Sequence, residues 1–342
     1  MADWRVGLSA DLRAPDGSIS WGDIGLDQLT AAGIGWDFLP PDDGELTAAH
    51  VAGYDAILFA APSISAATVA GPDRPALLAR FGVGLDAVDL PACTSAGVGV
   101  SITPDGARRA VATAALTLIL ALDHQVLAKD RLVREGRWQD RLSHLGRGLS
   151  GRRVGVLGLG NIAFELFGLL QPFGTENLAS DPFRTVQEAA DRGVRLVDLE
   201  TLMSEADIIV ITAGLTPQTY HLIDAGMIAR MRADAVLINI ARGAIVDTEA
   251  LVDALSEGRI RGAGLDVFEH EPLPTDHPLL ALNNVVLSPH SLAWTDELAL
   301  GNGSSAIRAI LDVRDHRVPT HLANPEVISH PAFAARLNPE TT

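Results

Sequence analysis

The feature that most constrains this chain is a succession of short apolar runs, each stopping at a glycine or a polar residue. One run, Arg153–Leu157, leads into Gly158-Leu159-Gly160-Asn161-Ile162-Ala163. Three others, at 236–240, 263–267 and 285–288, stop just short of Arg242, Glu271 and His290. A further run lies at 207–211. Runs this short, alternating with helix-length stretches, predict buried strands of a mostly parallel sheet. The carboxyl ends of such strands line one crevice, where open α/β sheets collect ligands.

The same alternation opens the chain, in Val6-Gly7-Leu8, at 56–60, at 76–80 and at 98–102. Thr103-Pro104-Asp105-Gly106 then breaks it, and an Ala- and Leu-rich stretch predicts one long connector helix over 107–134. Helices are also predicted at 248–258, with Gly258 as the stop, and at 296–312, returning to the first part. The expected architecture is α/β with two Rossmann-like domains. A nucleotide domain at 105–291 is inserted into a substrate domain made of 1–104 and 292–342. The tail from Pro331 is expected to be loosely ordered. With 342 residues the chain is long enough for two cores.

Composition narrows the chemistry. A formal charge of −17 and no basic stripe argue against nucleic acid as a partner. The longest apolar run, 114–122, is too short to span a bilayer, and no leader-like segment opens the sequence. A single cysteine, Cys93, cannot form an internal disulfide or a cysteine-rich zinc site. The expectation is a cytoplasmic protein with no membrane partner. Lys129 is the only lysine and lies far from any glycine-rich loop, which removes Schiff-base chemistry and a phosphate-binding Gly-Lys-Ser/Thr loop. Tyr54 and Tyr220 have no lysine nearby, so a Tyr-Lys dyad is absent. His, Asp, Glu and Arg remain as catalytic vocabulary.

Gly158, Gly160 and Ala163 fit the dinucleotide pattern G-x-G-x-x-G/A. The first glycine allows the tight turn, the second lets backbone approach a pyrophosphate, and the third position needs only a small residue for helix–sheet packing. Such a turn alone is often nothing more than a turn; here a strand precedes it, a helix follows, and Asp181 arrives at the spacing of a ribose-binding carboxylate. A carboxylate there accepts from the ribose hydroxyls and repels a 2′-phosphate, so NAD is the predicted cofactor. Asp181 also suits a plain turn before Pro182. The strand leading to it begins Thr175-Glu176-Asn177, polar for a buried position.

Arg242, with its planar fork, suits a carboxylate or carbonyl oxygen. His290 can give a proton to a carbonyl oxygen and take it back, and a carboxylate such as Glu271 fixes its tautomer. Taken singly, His290 reads as a structural histidine and Glu271 as a solvated loop carboxylate; beside Arg242 and the glycine turn they read as a set. His270 and His277, with Glu269, match no usual metal spacing, and no metal is expected. Gly82-Val83-Gly84 forms a turn whose amides can face a carboxylate.

Taken together, Gly82-Val83-Gly84-Leu85-Asp86-Ala87-Val88-Asp89, the glycine turn, Asn239-Ile240-Ala241-Arg242-Gly243, the stretch 265–272 and Pro289-His290 make the chain resemble the D-isomer-specific 2-hydroxyacid dehydrogenases along nearly its full length. The resemblance implies a flavodoxin-like substrate domain and a Rossmann domain through which two copies form a homodimer. It implies a small-molecule 2-keto or 2-hydroxy acid substrate, its side chain left open from glyoxylate to phenylpyruvate and larger, held by the Val83 and Gly84 amides and Arg242, with His290 and Glu271 as acid/base pair. It implies cofactor contacts from Gly158, Gly160, Asn161, Ile162, Asp181, Thr212, Ile240, Ala241, Arg242, Asp266 and His290. Departures from the family pattern are Thr113 for a usual Glu, Gly214 for a Pro and Trp294 for a small residue. Trp294 either reshapes the substrate pocket or simply packs, and Trp138 matches a position that approaches a neighbouring subunit. Two alternatives stay open: an NAD-sensing scaffold resembling the corepressors of this fold, and a formate dehydrogenase-like enzyme, which the Glu271 match disfavours.

Overall fold

The computed structural model describes residues 4–338 and divides into two compact units. One comprises the chain up to Ala107 and again from Trp294; the other is Arg108–Ala293.

The first unit carries strands β1 (Arg5–Leu8), β2 (Gly35–Phe38), β3 (Glu45–Leu46), β4 (Ala56–Phe59), β5 (Ser63–Ile64), β6 (Leu77–Arg80) and β7 (Gly99–Ser101). Five of them form a parallel sheet in the order β2-β1-β4-β6-β7, while β3 and β5 make a small separate pair. The chain leaves β1 in one direction and returns on its other side, so the switch in order falls beside β1, the flavodoxin-like arrangement. Strand β4 is buried at every position and β6 at all but Arg80, which explains their unbroken apolar sequence.

The tail corrects an expectation. Pro331–Leu337 is a helix, with Phe333 fully buried and packed where a side chain at Gly99 would otherwise stand. Burial of one phenyl ring, worth roughly 1.5–3 kcal/mol, offsets the cost of ordering that turn. Asn324 adds hydrogen bonds to Val100 and Val98 backbone at 2.8 and 3.0 Å. A lone aromatic in a polar tail gives no periodic signal.

The second unit carries β8 (Arg153–Leu157), β9 (Glu176–Ser180), β10 (Val194–Leu196), β11 (Ile208–Ile211), β12 (Val236–Asn239), β13 (Gly262–Leu265) and β14 (Val285–Leu287). They form one parallel sheet in the order β10-β9-β8-β11-β12-β13-β14. Alternate residues feed two core layers. Ile208 and Val210 join Leu118, Leu166 and Phe167 on one face, and Ile209 and Ile211 join Leu202, Met203 and Leu251 on the other. The polar start of β9 lies at its open end, Glu176 exposed and Leu178 to Ser180 buried.

The expected single connector is two helices, Pro104–Asp123 and Val126–Arg134. Gln125 between them takes a left-handed backbone, φ 52°. Asp123, fully buried, holds the break: Arg152 and Arg261 donate to its carboxylate, and its carbonyl accepts from Arg147 N at 2.9 Å. A buried carboxylate held by two guanidiniums fixes that helix end, which helical periodicity could not foretell. No single helix among the described residues is long and apolar enough to cross a membrane.

Candidate active site

Register sets the site. Asn239 is paired with Leu265, and Leu265 with Leu287, so three neighbouring strands end level with one another. The loops carrying Arg242, Glu271 and His290 leave from these adjacent ends.

Each loop is held by its own hydrogen bonds. Asn239 Oδ1 accepts from Ala241 N at 3.1 Å and its Nδ2 donates to Arg242 O at 2.9 Å, which shapes the Arg242 turn. Asp266, buried, accepts from Ser291 N and Leu292 N at 3.0 and 3.1 Å and so anchors the His290 loop from β13. His290 takes a left-handed backbone, φ 55°, an uncommon conformation that places its ring within 2.8 Å (Nδ1 to Oε2) of Glu271. The other Glu271 oxygen accepts from Phe268 N at 2.9 Å, so both carboxylate oxygens are committed.

Two further contacts escaped sequence reasoning. A side chain at Gly243 would come within 1.9 Å of the Phe268 backbone, so the loop bearing Glu271 rides directly on the turn bearing Arg242. His221 Nε2 and Glu269 Oε1 stand 2.6 Å apart, while His221 N donates to Ala244 O. Burial works to push the Glu269 carboxyl up, but hydrogen bonds from Thr248 and His221 outweigh it and hold the group below the ordinary glutamate value. Adjacency to Glu271 was the one available signal for Glu269; nothing marked His221. His277 Nδ1 accepts from Leu279 N, capping a turn, and among the described residues no group of three or more His, Cys, Asp or Glu is arranged to hold a metal ion.

The glycine turn follows β8 at the point where strand order switches, between β8 and β11. Gly158 has φ +95°, and a Cβ there would meet Ala213 backbone at 2.8 Å. Thr212 Oγ1 donates to Gly158 O at 2.7 Å, tying the turn to the neighbouring strand end. A Cβ at Gly160 would meet nothing within 4 Å, so that glycine leaves space above the backbone instead of serving packing. Gly160 caps the helix Asn161–Leu170, whose first amides face that space, and Ala163 is fully buried against the sheet. Ile162 is half-buried and Ile240 buried. Asp181 Oδ2 accepts from Leu159 N at 2.7 Å and Oδ1 from Phe183 N at 2.8 Å, so the carboxylate sits against the turn and also shapes its own. A cradle with an open glycine, a helix start lacking a side-chain cap and a carboxylate beside it fits a dinucleotide.

In the first unit, Gly82-Val83-Gly84 follows β6. Gly82 has φ +150° and its carbonyl accepts from Thr103 N at 3.0 Å, while Arg80 Nε donates to Gly84 O at 3.2 Å. Arg80, not singled out from sequence, thus braces the turn. Val83 is exposed. Trp294 is also exposed, with its ring centroid 4.4 Å from that of Trp21. Thr113 donates back to Arg109 O within its helix, and Gly214 O accepts from Thr219.

Comparison with known proteins gives this geometry a context. The family model for the D-isomer specific 2-hydroxyacid dehydrogenase NAD binding domain matches residues 116–291. A glyoxylate reductase of Thermofilum pendens is 39% identical over 256 residues, 74% of this chain and 76% of that protein. A D-3-phosphoglycerate dehydrogenase of Mycobacterium bovis is 40% identical over 258 residues, 75% of this chain but 48% of the longer relative. A solved protein of Thermus thermophilus superposes with a TM-score of 0.80 at 30% identity, covering 93% of this chain and 99% of the other. With an NAD-binding Rossmann sheet, matching fingerprints and relatives of this similarity, the chain belongs to the D-isomer specific 2-hydroxyacid dehydrogenases and uses NAD as its cofactor.

Proposed function

We propose that the chain reduces a 2-keto acid to the D-2-hydroxy acid, with His290 as proton donor, Glu271 as its partner and Arg242 as the cation at the reacting oxygen. The observation that carries this reading is the 2.8 Å contact between His290 Nδ1 and Glu271 on a strand end next to the Arg242 turn. With Nδ1 committed to Glu271, Nε2 is left to face the substrate. NADH, when bound on the cradle formed by Gly158, Gly160, Asn161, Ile162 and Asp181, supplies the hydride. Arg242 offsets negative charge growing on the keto oxygen, and His290 gives that oxygen its Nε2 proton, completing the hydroxyl. The Val83 and Gly84 amides take the substrate carboxylate. Thr212, Ala241 and Asp266 hold the cofactor-facing loops in shape.

The relatives' names put glyoxylate among the compounds to assay. NADH consumption with a set of 2-keto acids, and chiral analysis of the product, tests the reading. Glu271→Gln should lower kcat on the order of tenfold to hundredfold while NADH still binds. A protein that binds NADH tightly and turns over no keto acid is a sensor instead, and the reading falls.

The reading includes a cytoplasmic homodimer through the nucleotide-binding unit. Val126, Leu127, Val133, Trp138, Leu142 and Leu145 are large apolar side chains exposed within one short stretch of that unit, a density that marks an interaction surface. Light scattering should give twice 36.0 kDa, and Leu142→Glu should shift it toward the single-chain mass.

A further inference from the structure

The carboxyl edge of the first unit's sheet is lined unlike that of the second. Beside the Gly82-Val83-Gly84 turn stands Phe81; the Trp21 ring lies 5.2 Å from it, and the Trp294 ring 4.4 Å from Trp21. The three rings come from distant points of the chain and meet beside one turn. Trp21 is fixed by its neighbours: Ser20 N donates to Leu12 O, and Gly22 N donates to Ile19 O. Trp294 is fixed by the adjoining helix Asp296–Arg314, which Thr295 caps by accepting from Leu298 N with its side chain. Yet 60% of Trp294 is exposed, so most of this indole stays uncovered beyond its contact with Trp21.

The strand ends around the rings carry charges of both signs, Arg80 at the end of β6 and Asp11 just past β1. Asp11, just past β1, accepts from Ser9 Oγ at 2.5 Å and from Ala61 N at 2.9 Å, and so stands at the same edge as a carboxylate. An exposed apolar face favours an uncharged side chain over an anionic one, which would give up water on packing there.

We infer that the substrate is a 2-keto acid with an aromatic or bulky apolar side chain, packed against the exposed Trp294 face of the Trp21–Trp294 pair. This rests on the proposed dehydrogenase function, in which the Val83 and Gly84 amides hold the substrate carboxylate; it goes further by choosing among side chains. It also departs from the small substrate in the names of the glyoxylate reductases. Trp294 acts here as a specificity determinant, with no part in the hydride or proton step.

The test compares kcat/KM for glyoxylate, 4-methyl-2-oxopentanoate, phenylpyruvate and 2-oxoglutarate with NADH, in the wild-type chain and in Trp294→Ala and Trp294→Phe. In the wild type, phenylpyruvate should exceed glyoxylate by about tenfold or more, with 2-oxoglutarate the poorest. Trp294→Ala should shrink the phenylpyruvate-to-glyoxylate ratio about tenfold, chiefly through the KM for phenylpyruvate. Trp294→Phe should keep most of the ratio, which guards against a mere folding defect. Phenylpyruvate should quench the tryptophan fluorescence of the wild type more than that of Trp294→Ala. Glyoxylate preferred by the wild type, or a ratio unmoved in Trp294→Ala, overturns the inference while leaving the dehydrogenase function intact. No turnover of any keto acid overturns both.

Discussion

The two parallel sheets end in opposite kinds of chemistry. In the second unit the strand ends carry a cation, a carboxylate and an imidazole, each loop held by hydrogen bonds at 2.8 to 3.1 Å and the last two groups paired. In the first unit they carry a glycine turn braced by Arg80, three aromatic rings and the Asp11 carboxylate. In the proposed reading, the same edge of the same type of sheet serves proton chemistry in one case and shape recognition in the other. Fold dictates where a site forms; side chains at the strand ends decide what it does.

Substitutions can break or sharpen this contrast. The largest effect is expected at His290, where His290→Gln should cut kcat about 100- to 10,000-fold with NADH affinity retained, read by steady-state assay and NADH fluorescence. A loss confined to KM would place the second unit on the recognition side and erase the distinction. Smaller, and of the opposite kind, is Gly82→Ala in the first unit. The strained backbone at φ +150° costs about 1–3 kcal/mol for any side chain and tilts the Val83 and Gly84 amides. The keto-acid KM should rise several-fold, more than kcat falls; an unchanged KM would remove the turn from recognition.

The smallest effect concerns pH. Glu269, half-buried and held below the ordinary glutamate value by Thr248 and His221, gives the folded state stability that is complete above that ordinary value. It is lost as pH falls through the lowered one. Melting temperatures of wild type and Glu269→Gln should therefore differ near neutral pH and converge in acid. A gap that stays constant down the pH scale would show that the pair stabilises by shape alone.

Much of the second unit was legible because its signals are local. Gly158, Gly160 and Asp181 follow a spacing that chain geometry enforces, and Arg242, Glu271 and His290 sit two to four residues beyond apolar runs. What sequence concealed was long-range. The pairing of His221 with Glu269 spans loops from two different strands, and the bracing of Gly84 by Arg80 looks like an ordinary strand-ending arginine. The Trp21–Trp294 contact joins opposite ends of the chain. Local periodicity also overran at 107–134, where only the tertiary bonds to Asp123 reveal a break, and undershot at Pro331, where one buried ring orders a tail.

One missing methyl group has reach beyond its own site. Because Gly243 carries no Cβ, the turn bearing Arg242 and the loop bearing Glu271 are seated directly against each other. Neither can shift far without displacing the other. If the proposed specificity holds, changing what the enzyme accepts is a matter for the exposed Trp294 in the first unit, away from that seat.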